Sequence, residues 1–153
     1  YEILYLTENV DEFVIQVLQE YKEKKFANVC ADDIDLETKE EKEELQKVND
    51  ENKDMFELMK EAVGEEVDKV RYTHKLKNHP VCLTNEEKIK AQTILEINEN
   101  HPIAQKIKDL YENNKDELKE YTKVLYAQAR LIEGLPIENP TEISNLVCNL
   151  ISK

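Results

Sequence analysis

Residues 115–151 read KDELKEYTKVLYAQARLIEGLPIENPTEISNLVCNLI, and the fold turns on how their apolar positions repeat. From Lys115 to about Glu133 the spacing predicts one helix, with Gly134 just past its end and Pro136 preventing continuation. Leu118, Tyr121, Leu125, Ala129 and Ile132 fall on one stripe of that helix, and Val124, Ala127, Leu131 and Leu135 on another. An isolated chain does not easily bury both, so a second partner surface is implied. The final helix has Asn139 as its cap, Pro140 at the first position and Glu142 completing a capping box. Its stripe of Ile143, Leu146, Val147, Leu150 and Ile151 is uninterrupted. Two neighbouring helices with such faces predict a C-terminal bundle in which they meet their symmetry copies in a four-helix arrangement.

Upstream, Pro102 opens another helix with Ile103, Ile107, Leu110 and Tyr111 on one side. Val70, Tyr72, His74 and Leu76 alternate with Arg71, Thr73 and Lys75, the period of a half-exposed strand. Asn78 to Pro80 makes a turn, and Val81 to Leu83 and Ile94 to Ile97 add two short strands, giving a small three-stranded sheet. From Thr38 to Val63 one long amphipathic helix is predicted, starting at a Thr38 and Glu41 capping box and stopped by Gly64. Its stripe includes Met55, Phe56 and Met59, whose register favours core packing over a binding surface. Tyr1 to Leu6 reads as a buried strand, Asn9 with Glu12 caps a helix carrying Phe13, Val14, Val17, Leu18 and Tyr21, and Phe26 to Cys30 reads as a second, parallel strand. The expectation is therefore an α+β chain with a strand-helix-strand remnant over 1–36, then a second domain over 37–153. That second domain comprises the long linking helix, the small sheet and the C-terminal helices.

A formal charge of −13 with 36% charged residues repels phosphate backbones, which argues against nucleic acid as a ligand. No apolar stretch approaches the roughly 18 to 20 residues of a membrane span, and no signal-peptide pattern opens the chain. Cys30, Cys82 and Cys148 are odd in number and widely spaced, which fits reduced thiols and a cytoplasmic location. The chain opens at Tyr1 inside an apolar run, so it is expected to come from something longer.

No chemistry is assigned to the polar residues. His74, His79 and Cys82 lie within nine residues but match no zinc spacing, and the ordinary roles are sheet packing for His74 and the turn for His79. A Cys82 and His101 nucleophile pair lacks any oxyanion-hole signature. Pairs such as Asp32 and Asp33 arise readily among 34 acidic residues, and two glycines, Gly64 and Gly134, cannot make a phosphate loop. Catalytic, cofactor and metal residues are accordingly expected to be absent.

Three stretches carry a resemblance: Tyr1-Glu2-Ile3-Leu4-Tyr5-Leu6-Thr7, Arg71-Tyr72-Thr73-His74-Lys75-Leu76 and Leu95-Glu96-Ile97-Asn98-Glu99-Asn100-His101-Pro102-Ile103. In order and spacing they resemble the heat shock protein 90 family, bacterial type, from the end of its middle domain through its C-terminal dimerisation domain. Leu135-Pro136-Ile137-Glu138-Asn139-Pro140 is similar to the family's loop before its last helix. The resemblance implies a homodimeric, ATP-driven chaperone of client proteins. ATP and Mg are expected only in the full-length protein, outside this chain. The dimer contact is then expected at Leu118, Tyr121, Leu125, Ala129, Ile132, Leu146, Val147, Leu150 and Ile151, on the strength of the two-sided helix. The family also carries roughly twenty further residues, including a Met-bearing amphipathic helix associated with client contact, where Asn85 to Lys88 stand here. Either that segment is deleted or the sequence joins its two flanks, and the second is favoured. The chain ends at Ser152 and Lys153 without the acidic peptide that holds tetratricopeptide co-chaperones, so such partners are not expected. Without the family, the same features describe an acidic helical adaptor that binds a different protein.

Overall fold

The structure, a computed structural model, describes residues 2–26, 38–87 and 91–152. The chain divides into two compact units, 1–36 and 37–153. In the first, residues 2–7 have no regular secondary structure and Ile3, Leu4, Tyr5 and Leu6 are exposed, so the expected buried strand is not formed. A strand is held by its neighbours, and no described residues of this unit pair with that run. Helix α1 (Asn9–Leu18) is capped one residue earlier than expected, at Glu8 rather than Asn9: Asp11 Oδ2 accepts from the Thr7 and Glu8 N–H groups, each at 3.0 Å. Residues 20–25, for which no strand is expected from the sequence, fold back as an antiparallel hairpin of β1 (Glu20–Tyr21) and β2 (Lys24–Lys25). Lys22 and Glu23 have φ of 48° and 63°, the left-handed backbone that a two-residue hairpin turn demands. The strand expected over Phe26 to Cys30 lies, apart from Phe26, outside the described residues.

The second unit opens with the predicted capping box. Thr38 N–H donates to Glu41 Oε2 at 2.7 Å, and Glu41 N–H donates to Thr38 Oγ1 at 3.2 Å. The long helix is in fact two, α2 (Lys39–Glu51) and α3 (Lys53–Val63), with Asn52 between them at φ −102° and ψ 14°. Asn52 Nδ2 donates to the Val48 carbonyl at 2.7 Å, a side-chain bond that competes with the helical pattern. Gly64, at φ 80° and ψ −142°, ends α3 in a conformation an L side chain strains to adopt.

Strands β3 (Lys69–Thr73), β4 (Val81–Glu87) and β5 (Ala91–Asn98) form one sheet in the order β3-β5-β4. β5 is central, parallel to β3 with Val70 opposite Leu95, and antiparallel to β4 with Leu83 opposite Leu95. β3 stops at Thr73 rather than Leu76, while β4 runs four residues past Leu83 because β5 pairs with it out to Glu87 opposite Ala91.

Three helices follow: α4 (Pro102–Asn113), α5 (Lys115–Ile132) and α6 (Pro140–Ile151). His101 and Asn114 cap the first two, accepting from Ile103 N–H at 3.1 Å and Glu117 N–H at 3.2 Å. The box expected at Asn139 is not made; the Asn139 side chain bonds no backbone N–H, and the Glu142 carboxylate lies 3.7 Å from Lys123 Nζ. The core gathers Met55, Phe56 and Met59 of α3, Tyr72 of β3, Leu95 and Ile97 of β5, Ile107 of α4, and Leu118 and Leu125 of α5. Phe56 meets Tyr72 edge to face at a centroid distance of 4.9 Å. The observed class is mixed helix and sheet, α+β.

Candidate functional site

On α5 the core covers most of the first stripe, while the second divides between Ala127, 3% exposed, and its open end at Leu131 and Leu135. Leu118, Leu125 and Ala129 are at most 4% exposed within their own chain. They pack against the sheet side of the core, so no surface of theirs is left for a second molecule. Tyr121 is half-buried, with Lys106 Nζ 5.6 Å from its ring centroid. Of the stripe first read as contact, Ile132 alone is exposed, at 41%. Leu131 at 60% and Leu135 at 44% accompany it.

Those three leucines and isoleucines sit where α5 ends. Gly134 takes φ 70°, its N–H donates to the Leu131 carbonyl at 3.1 Å, and Leu135 N–H donates to the Arg130 carbonyl at 2.8 Å. This paired-bond cap is the one that a glycine past the helix end permits, and it turns the chain toward α6. None of the twelve residues of α6 is buried. Ile143, Leu146, Val147 and Leu150 are half-buried and Ile151 is 79% exposed, although all five lie on its apolar stripe.

Behind this surface, a groove of about 260 Å³ runs between α3, α5 and the start of α6, with Val63, Ala127, Ile137 and Ile143 among its lining. Arg130 is its most connected side chain. Its Nη1 lies 3.1 Å from Glu66 Oε2, 3.3 Å from Glu138 Oε1 and 3.3 Å from the Tyr126 hydroxyl. Burial, then the bond to Glu66, pushes the Tyr126 hydroxyl up to about 12. Glu66 is 64 residues away along the chain, so no local pattern in the sequence could have announced this cluster.

Three of the side chains weighed for chemistry, His74, His101 and Cys82, have partners of their own, and His79 takes part through its backbone. His74 Nε2 meets Glu99 Oε2 at 2.7 Å, and the His79 carbonyl accepts from Asn98 Nδ2 at 3.1 Å. His101 Nδ1 is the acceptor that caps α4, while Cys82 Sγ lies 3.8 Å from Glu96 Oε2. Burial first, then the Glu96 carboxylate, pushes the Cys82 thiol up to about 12, which makes it a poor nucleophile. Among the described residues no three His, Cys, Asp or Glu side chains converge as a metal site would need. Cys30, Asp32 and Asp33 lie outside the described residues. Among the described residues, no helix is long and apolar enough to cross a membrane.

With this geometry in view, the chain finds its relatives among molecular chaperones. The family model described as Hsp90 protein matches residues 1–88 and 84–153, and the chain belongs to that family. It is similar to the Chaperone protein HtpG of Clostridium perfringens, 48% identical over 168 aligned positions that cover 99% of this chain and 26% of that protein. The Chaperone protein HtpG of Alkaliphilus oremlandii is 43% identical and that of Bacillus subtilis 39%, each over 99% of this chain and 27% of the relative. The chain thus spans about a quarter of the length of the curated relatives it matches. The 168 aligned positions exceed its 153 residues by 15, and the two family matches meet at residues 84–88.

Proposed function

We propose that residues 37–153 are the dimerising end of an Hsp90-family chaperone, and that residues 1–36 are the end of its middle domain. ATP and Mg would be bound elsewhere in the longer protein, and client proteins would be its substrates in the cytoplasm. The observation that carries the reading is α6: twelve residues with an unbroken apolar stripe, none of them buried by their own chain. Burying one leucine or isoleucine fully is worth about 1.5–3 kcal/mol, so leaving such a stripe in water forgoes a large gain. A twofold axis lets the same patch cover itself, and Ile132, Leu146, Val147, Leu150 and Ile151 of the expected contact remain available for that, joined by Leu131 and Leu135. Leu118, Leu125 and Ala129 support the surface from within, and Tyr121 borders it.

Sedimentation of the 153-residue chain across micromolar concentrations tests this. The expected species has twice the chain mass with no partner present, and Leu150→Asp should shift it to single chains, because a carboxylate would be forced into an apolar contact. A wild-type chain that stays single at every concentration would overturn the reading.

A further inference from the structure

We infer that Arg130 is a positioning residue for self-association: an ion-pair clamp that fixes where α6 leaves α5 and ties that point to the end of α3. The inference rests on the dimer reading above and concerns how that surface is held in shape. Glu66 closes the short 3₁₀ turn Gly64–Glu66 that follows α3, and Glu138 lies two residues before α6 begins. Arg130 stands between them on α5 and reaches both with a single nitrogen. An arginine Nη carries two hydrogens, so one is available for each carboxylate, and the Tyr126 hydroxyl is left as a secondary contact on the same atom.

The loop from Glu133 to Asn139 has few other restraints at its far end. The Asn139 cap bond is absent, and the next polar tie between α5 and α6 is Lys123 with Glu142 at 3.7 Å. The Arg130 side chain is 15% exposed, whereas those of Glu66 and Glu138 are 41% and 62% exposed. A shielded guanidinium flanked by two wetter carboxylates is a geometry in which screening weakens the hold without emptying the core. Leu131 and Ile132 follow Arg130 directly and are exposed, so the residue that grips the loop adjoins the surface that the loop must complete. Self-association should therefore weaken when the clamp is cut, although Arg130 itself makes no contact with a second chain.

The test compares the dimer dissociation constant of wild type, Arg130→Gln, Arg130→Lys, Glu138→Gln and the Arg130→Gln/Glu138→Gln double variant by sedimentation. Arg130→Gln is expected to weaken the dimer about fivefold at low salt with unchanged far-ultraviolet circular dichroism. Arg130→Lys should recover part of that loss, and Glu138→Gln should cost less in the Arg130→Gln background than in wild type. In about 1 M salt, where the screening length falls to about 3 Å, the gap between wild type and Arg130→Gln should narrow. An unchanged dissociation constant, or a loss that is additive and indifferent to salt, would overturn the clamp.

A second measurement does not depend on dimer formation. Spin labels on Cys148 of α6 and on Glu57→Cys of α3, in a chain with Cys30 and Cys82 changed to Ser and diluted into unlabelled chain, report the spacing of the two helices. Arg130→Gln should broaden that distance distribution, and an unaltered distribution would sink the inference. A wild-type chain that never dimerises would remove the dimer reading, while the distance measurement would still decide whether Arg130 sets the position of α6.

Discussion

Asn49 closes the outer edge of β3 at Tyr72: its Oδ1 accepts the Tyr72 N–H at 2.8 Å and its Nδ2 donates to the Tyr72 carbonyl at 3.2 Å. A neighbouring strand would make the same pair of bonds, so one amide on α2 substitutes for a strand on an edge that would otherwise invite another chain. Asn49→Ala is expected to lower stability by about 1–3 kcal/mol in urea unfolding and to increase aggregation on warming. Asn49→Asp keeps an acceptor but sets a carboxylate against the Tyr72 carbonyl, and should be no more stable than alanine. An alanine variant with the wild-type midpoint would show that the amide contributes nothing.

Leu118 and Ile151 belong to one expected contact set but to different environments, 0% and 79% exposed. Leu118→Ala should cost about 2–5 kcal/mol of folding stability, since it opens a cavity in the core. Ile151→Asp should change folding stability of the single chain by less than about 0.5 kcal/mol and act on self-association instead. Denaturant melts at low concentration, set beside sedimentation, separate the two effects.

Glu96 is 1% exposed and receives the Arg71 guanidinium, with Nε at 2.8 Å from Oε1. Removing one partner of such a pair strands a charge. Arg71→Met is expected to destabilise the chain by about 3–5 kcal/mol, and Arg71→Met with Glu96→Leu should regain most of it. If the double variant were as unstable as the single one, packing of the arginine stem, and not its charge, would be the cause.

Cys82 and Cys148 should react very differently with thiol reagents. Cys148 is exposed, whereas Cys82 is partly buried and its pKa rises from 9.0 to about 12 through burial and the Glu96 carboxylate. At pH 8 its thiolate fraction is roughly one part in ten thousand, so Cys148 should be labelled before Cys82 in a mass-resolved time course. The same shift has a sign for stability. The unfolded thiol ionises before the folded one, so the stabilising contribution is complete below about pH 9 and is lost as pH rises from there towards 12. Tyr126, raised from 10.0 to about 12, pulls in the same direction over the upper part of that range.

The bounds of α4, α5 and α6 were legible because Pro102, Gly134 and Pro140 act locally, and the alternation through Val70 and Tyr72 announced β3 in the same way. Asn52 was not legible as a break, since an asparagine in a charged run looks like any exposed helical position until its amide is seen on Val48. Nor did Asn85 and Glu86 suggest a strand: they are extended because β5 is opposite them, a non-local cause. Within the site, periodicity identified two stripes on α5 but could not tell which positions of each the core would cover. That choice moved Leu118, Leu125 and Ala129 inward and left Leu131 and Leu135 outside. The Arg130 cluster, built across 64 residues, leaves no periodic trace at all.

The hairpin of β4 and β5 has a consequence for how such chains vary in length. Its ladder is complete at Glu87 opposite Ala91, and only three residues of sequence intervene. Enlarging that connection by about 15 residues would add roughly 1.5 kcal/mol of closure entropy, a small cost beside the seven paired positions from Val81 to Glu87. A longer connection between Glu87 and Ala91 is thus a cheap change, one that need not rewrite the rest of the domain.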